Sequence, residues 1–132
     1  MTMSSVAEFI LYVSNQEASR NFYKEILLQD PCLDVPGMTA FDISPGVRLG
    51  LMPEQNIARI IHPSMPHPTM AQGIPRCELY LYVEHPQTYF ERAISCGAIA
   101  VSDVMQRNWG DIAGYVADPD GHILAFASHL NS

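Results

Sequence analysis

Basic residues are scarce in this chain: seven Lys and Arg stand against fourteen Asp and Glu, for a formal charge of −7. A phosphate backbone or an anionic membrane surface requires clustered positive charge, and these seven are scattered, so nucleic acid and membrane lipid are set aside as partners. Long apolar runs are missing too, none approaching the ~20 residues that span a bilayer. Met1 to Ser5 lacks the basic start and apolar core of a signal peptide, so a cytoplasmic location is expected. Cysteine is limited to Cys32, Cys77 and Cys96, an odd and widely spaced set that indicates neither a disulfide framework nor a zinc cluster. All three are read as reduced packing residues. Charged residues make up only 16% against 48% apolar, which argues for a folded domain, and 132 residues suffice to bury one core.

What is present is an internal repeat. Glu8-Phe9-Ile10-Leu11-Tyr12-Val13 returns as Glu78-Leu79-Tyr80-Leu81-Tyr82-Val83, with Glu, Leu, Tyr and Val in the same places. Such a duplication predicts two copies of one unit, each opening with a strand that starts at a glutamate.

The elements around each copy agree. Residues 6–13 are a strand by composition, and Ser14 with Glu17 reads as a capping box opening a helix through about Leu28, with Ala18, Phe22 and Ile26 at helical spacing. Short strands are expected at 32–35, 38–43 and 47–52, separated by Pro36-Gly37 and Ser44-Pro45-Gly46. The second copy has a helix from Pro86 to Gly97 and strands at 99–105, 112–117 and 122–128, with Asp118-Pro119-Asp120-Gly121 as a tight turn. Both modules, 6–52 and 77–129, therefore read βαβββ. Residues 53–76 carry five prolines and no sustained periodicity, which predicts a connecting arm.

Leu11-Tyr12-Val13, the run from Ser19 through Phe22-Tyr23 to Leu27, and Tyr115-Val116-Ala117-Asp118-Pro119-Asp120-Gly121-His122 together resemble the vicinal oxygen chelate superfamily. That superfamily includes glyoxalase I, extradiol dioxygenases, fosfomycin resistance enzymes and bleomycin resistance proteins. The resemblance covers nearly the whole chain. It implies an α+β fold in which two βαβββ modules form a curved mixed-sheet cup, in a homodimer whose modules pair within or between chains.

The resemblance also implies four metal positions, on the first and last strand of each module. Carried over, these fall on Glu8, Glu78, Gly50 and Ala125. Gly50 and Ala125 offer no side-chain ligand, and two carboxylates alone make a weak, oxygen-only site. No cofactor is therefore predicted beyond a weakly held divalent metal. His62 and His67 on the arm are the imidazoles that could supplement it, although solvated loop histidines are the simpler reading.

Strand alternation turns Glu8, Ile10, Tyr12, Arg48, Gly50 and Met52 inward in module one, and Glu78, Tyr80, Tyr82, Ile123, Ala125 and Ala127 in module two. Phe9, Leu11, Leu79 and Leu81 then pack under the helices. Trp109 sits on a turn before a strand, at the mouth of the cavity, and His122 is read as structural. Three functions fit. A metal-free protein would bind a small aromatic or cationic molecule, with tyrosines stacking and glutamates holding charge, as the bleomycin resistance branch does. A glyoxalase-like lyase or isomerase, or a dioxygenase, would act on a small oxygenated substrate, with Glu8 or Glu78 as a base whose pKa is raised by burial. An interaction module would fill the cup with its own side chains. In the simplest structural role, Glu8 and Glu78 form salt bridges with Arg48 or Arg76.

Overall fold

The computed structural model describes residues 6–130; Met1 to Ser5, on which the expected cytoplasmic location rests, lie outside the described residues. The chain divides into two compact units between Gln72 and Gly73. The first contains β1 (Ala7–Val13), α1 (Gln16–Leu27), β2 (Leu33–Val35), β3 (Met38–Ser44), β4 (Val47–Pro53), α2 (Glu54–Ile61) and a 3-10 turn (Pro68–Ala71). Its four strands form one sheet in the order β1-β4-β3-β2, with β1 and β4 parallel and the other pairs antiparallel.

Helix α1 forms because Ser19, Phe22, Tyr23 and Ile26 fall at i, i+3, i+4 and i+7, and all four are buried. Its cap is Asn15 rather than Ser14: the Asn15 Oδ1 accepts from the Ala18 backbone N–H at 2.9 Å. Gln16 fastens the helix start to the sheet, donating to the Val35 carbonyl at 2.8 Å and to Thr39 Oγ1 at 2.9 Å. Under the helix, Phe41 pairs with Leu49 in register and Thr39 with Leu51, and all four are fully buried.

Two expectations are corrected here. The connecting arm carries secondary structure of its own, since residues 54–61 form α2 and residues 68–71 a 3-10 turn. A helix of barely two turns is too short for a repeating apolar period to show. Phe9 does not pack under a helix but is 65% exposed. The cause is topological: β1 is the edge strand of its sheet, whereas α1 lies over β3 and β4.

The second unit repeats the design with β5 (Glu78–Tyr82), α3 (Pro86–Ser95), β6 (Ile99–Gln106), β7 (Asp111–Ala117) and β8 (Ile123–His129). Its order is β5-β8-β7-β6, again with the first strand parallel to the last. The duplication extends to the register. Glu8 faces Arg48 and Ile10 faces Gly50 in one sheet, as Glu78 faces Ile123 and Tyr80 faces Ala125 in the other. Helix α3 opens at Pro86, buries Phe90 and Ala93, and lays the Tyr89 ring on Phe126 at a centroid distance of 5.6 Å. The turn before β8 is closed by Asp118, whose Oδ1 accepts from the backbone N–H of Asp120 at 2.9 Å and of His122 at 2.8 Å. Gly121 completes it at φ +90°, with its Cα face against the Gly73 carbonyl.

Candidate ligand-binding site

On the face of the second sheet opposite α3, the pairing register lines up Tyr80 and Tyr82 of β5 with Ala125 and Ala127 of β8, and Ala113 and Tyr115 of β7 beyond them. The same alternation carries Asp111 at the start of β7 and His129 at the end of β8 onto this face, directly opposite each other. Asp111 is 3% exposed and is the hub of the site. Its Oδ2 accepts from the Tyr80 hydroxyl at 2.7 Å and the Tyr82 hydroxyl at 2.9 Å, and its Oδ1 lies 3.0 Å from His129 Nδ1. The Trp109 indole N–H then donates to the Tyr80 oxygen at 3.0 Å. The rings cluster as well: Tyr80 and Tyr82 meet edge to face at 5.4 Å, and Tyr82 lies against the His129 imidazole at 4.5 Å.

The electrostatics follow from these bonds. The Tyr80 hydrogen bond, first among the causes, holds the Asp111 carboxyl below its ordinary value against the opposing effect of burial. Burial foremost, and then the bond to Asp111, pushes the Tyr80 phenol up to about 12. Tyr82 is raised by its bond to Asp111, and Tyr115 by burial and then by the charge of Glu78. An ionised carboxylate is an acceptor only, so both phenols and His129 Nδ1 are donors. The face is therefore acidic and aromatic, with Tyr82 and Trp109 57% and 56% exposed. Tyr115 already carries a cation, the Arg107 guanidinium 5.0 Å above its ring. Arg107 is fixed there by donating to the Ala113 and Asp103 carbonyls and to Ser102 Oγ.

Of the residues singled out from the sequence, Tyr80, Tyr82 and Trp109 are thus joined in one network, with Ala125 buried beneath them. Asp111 and His129, which organise it, fall outside the strand bounds of 112–117 and 122–128 that the sequence suggests, one on the turn and one past the end. Extending each strand by a single residue reveals them through the alternation Asp111, Ala113, Tyr115 and Ala125, Ala127, His129.

In the first unit, Glu8, Ile10, Tyr12, Arg48, Gly50 and Met52 share one face of the sheet, as expected. No salt bridge joins Glu8 to Arg48, because Arg48 Nε turns to Asp42 Oδ1 at 3.0 Å. Glu8 instead folds over Gly50, where the missing Cβ leaves room for its carboxylate: an ideal Cβ at that position would collide with Glu8 Oε2. Both Glu8 and Glu78 are exposed rather than buried among apolar walls.

Of the four metal positions implied by the superfamily, Gly50 pairs with Ile10 and Ala125 with Tyr80, and neither offers a ligating atom. His62 and His67 line one cleft with Arg59, whose positive charge opposes a dication. Asp118, Asp120 and His122 have ligand atoms within 4.8 Å of one another. Those of Asp118 are engaged in closing the turn, and His122 Nδ1 lies 3.0 Å from Asp118 Oδ2.

Among the described residues no helix is long and apolar enough to cross a membrane. The model of the glyoxalase-like domain family matches residues 6–131. A glyoxalase-related enzyme from Fulvimarina pelagi has a similar structure, with a TM-score of 0.80 and 26% identity over 94% of this chain and 87% of that one. A glyoxalase/bleomycin resistance protein/dioxygenase from Nocardioides shares the fold at a TM-score of 0.75 and 22% identity, covering 100% of this chain and 87% of the other. An uncharacterized protein of Mycobacterium bovis is 40% identical over 55 residues, 42% of this chain, and the match spans only 36% of that relative's length. The paired βαβββ units and the family match over 6–131 lead to one assignment: the chain belongs to the glyoxalase-like domain family, within the vicinal oxygen chelate superfamily.

Proposed function

We propose that this protein binds a small aromatic, cationic organic molecule on the inner face of its second sheet, without using a metal. The observation that carries the reading is the Asp111 network, which holds two tyrosines and a tryptophan in fixed orientation beside an ionised, buried carboxylate. Exposed Tyr82 and Trp109 offer electron-rich rings, and Asp111 with Glu78 supplies negative potential behind them. Arg107 over Tyr115 is an internal precedent for a cation on this face. The metal-free part rests on Gly50 and Ala125, which lack ligating side chains at two of the four metal positions that the resemblance implies. Pairing of two chains belongs to the same proposal; exposed Phe9 on an edge strand supports it, and light scattering reads it.

Trp109 is the chain's single tryptophan, so its fluorescence reports this site alone. Titration with benzyltrimethylammonium and a panel of larger aromatic cations should give saturable quenching, weakened about tenfold in Tyr82→Ala by loss of a cation–π contact of roughly 1–2 kcal/mol. Absence of saturable quenching across the panel, or equal affinity in the variant, sinks the reading.

A further inference from the structure

A separate cleft, built wholly from the first unit, carries opposite charge. Gln55, Ala58, Arg59 and His62 occupy positions i, i+3, i+4 and i+7 along α2 and its C-cap, so they share one helix face. His67, at the start of the 3-10 turn, joins them to line a cleft of about 630 Å³. That volume suits a small-molecule site.

Three features define its chemistry. No acid lines this cleft, although the chain as a whole is acidic; Glu54 lines the neighbouring one, which shares Gln55 and His67. Arg59 has no carboxylate partner among the described residues, whereas Arg20 and Arg48 are paired with Asp34 and Asp42. His67 Nδ1 accepts from the Thr69 backbone N–H at 3.2 Å, which places the hydrogen of the neutral ring on Nε2. His67 thus presents a donor to its surroundings even when uncharged. The guanidinium adds a forked pair of N–H groups, and the Gln55 amide a further donor.

We infer that this cleft binds a small oxyanion, a carboxylate or phosphate group, through Arg59, His67 and Gln55, with His62 beside them and Ala58 as an apolar floor. The site is independent of the aromatic face of the second sheet. The simpler role for Arg59 is to complement the negative C-terminal end of α2, which requires no ligand. Titration distinguishes the two.

The full chain, labelled for two-dimensional amide NMR at constant pH and ionic strength, is titrated separately with inorganic phosphate, acetate and chloride. Saturable shifts of the amides at 58–62 and 67–69 are expected with phosphate or acetate and not with chloride. The stronger of the two identifies the group that is read. Arg59→Ala, at an exposed position, should lose the saturable response, and Arg59→Lys should bind about tenfold more weakly, since it keeps the charge but not the fork. An unchanged spectrum elsewhere verifies that each variant is folded. No saturable shift with either oxyanion, an equal response to chloride, or an undiminished response in Arg59→Ala overturns the inference.

Discussion

Tyr80 donates its phenolic hydrogen to the Asp111 carboxylate across 2.7 Å, linking the first strand of the second module to its third. These strands are not neighbours in the sheet, since β8 runs between them. The bond spans that strand because β8 contributes Ala125 and Ala127 at the crossing, side chains too small to intervene. Small residues at those two positions are thus a condition for the polar network as well as for the space above it.

Asp111→Asn tests the network directly. The neutral amide keeps the shape but loses the charge that disfavours phenolate formation at Tyr80 and Tyr82. Tyrosine ionisation, followed by phenolate absorbance, should move down in the variant, with Tyr80 leaving its value of about 12 toward the ordinary ~10. Burial is the larger cause of the Tyr80 shift, so part of the elevation should persist. An unchanged titration would mean that the carboxylate does not govern these phenols.

The same shifts predict how stability depends on pH. Tyr80 ionises less readily folded than unfolded, so its contribution is complete below ~10 and is lost as pH rises from there through about 12. Asp111 is shifted the other way: its contribution is present above the unfolded carboxyl value of 3.8 and is lost as pH falls through the lower folded value. Urea midpoints measured across pH should fall at both extremes. Tyr80→Phe should flatten the alkaline limb and Asp111→Asn the acid limb.

Much of this architecture is legible in the sequence, and particular residues show why the rest is not. The Glu8 and Glu78 hexapeptides marked equivalent strands because alternation is a local property, and the register confirms their equivalence. Asp111 and His129 escaped because polar residues at strand ends look like turn residues, and their pairing across β7 and β8 is a long-range fact. The exposure of Phe9 is not legible in the sequence because alternation decides which face a residue occupies, not whether a helix covers it. Helix α2 escaped because its length is too short to establish a period.

Helix α1 contains two local conflicts whose removal should stabilise the protein. Ser19 is 1% exposed and its hydroxyl lacks a hydrogen-bond partner among the described residues. Ser19→Ala removes that desolvated group and improves helix propensity, for an expected gain of about 0.5–1 kcal/mol. Leu28 caps the helix in the left-handed region at φ 55°, with 62% of its surface exposed. Leu28→Gly should relieve about 1 kcal/mol of strain with little loss of burial. Chemical denaturation of both variants checks this, and a destabilised Ser19→Ala would point to an unseen partner for the hydroxyl.

Two glycines that both look crowded should respond differently to alanine. At Gly50 an added Cβ would collide with Glu8 Oε2, the free end of a flexible and exposed side chain, and approach Ile10 Cγ1 at 3.0 Å. The carboxylate can swing away, and the loss of unfolded-chain entropy offsets the remaining crowding, so Gly50→Ala should change stability by less than about 1 kcal/mol. At Gly121 the new Cβ would lie 2.8 Å from the Gly73 carbonyl oxygen, with φ at +90°. Neither the backbone contact nor the dihedral can be relieved by a rotamer change, so Gly121→Ala should cost about 1–3 kcal/mol. Thermal unfolding of the two variants in parallel provides the comparison. Equal losses would show that Glu8 is held over Gly50 more firmly than its exposure implies, which would return that carboxylate to consideration as a positioned functional group.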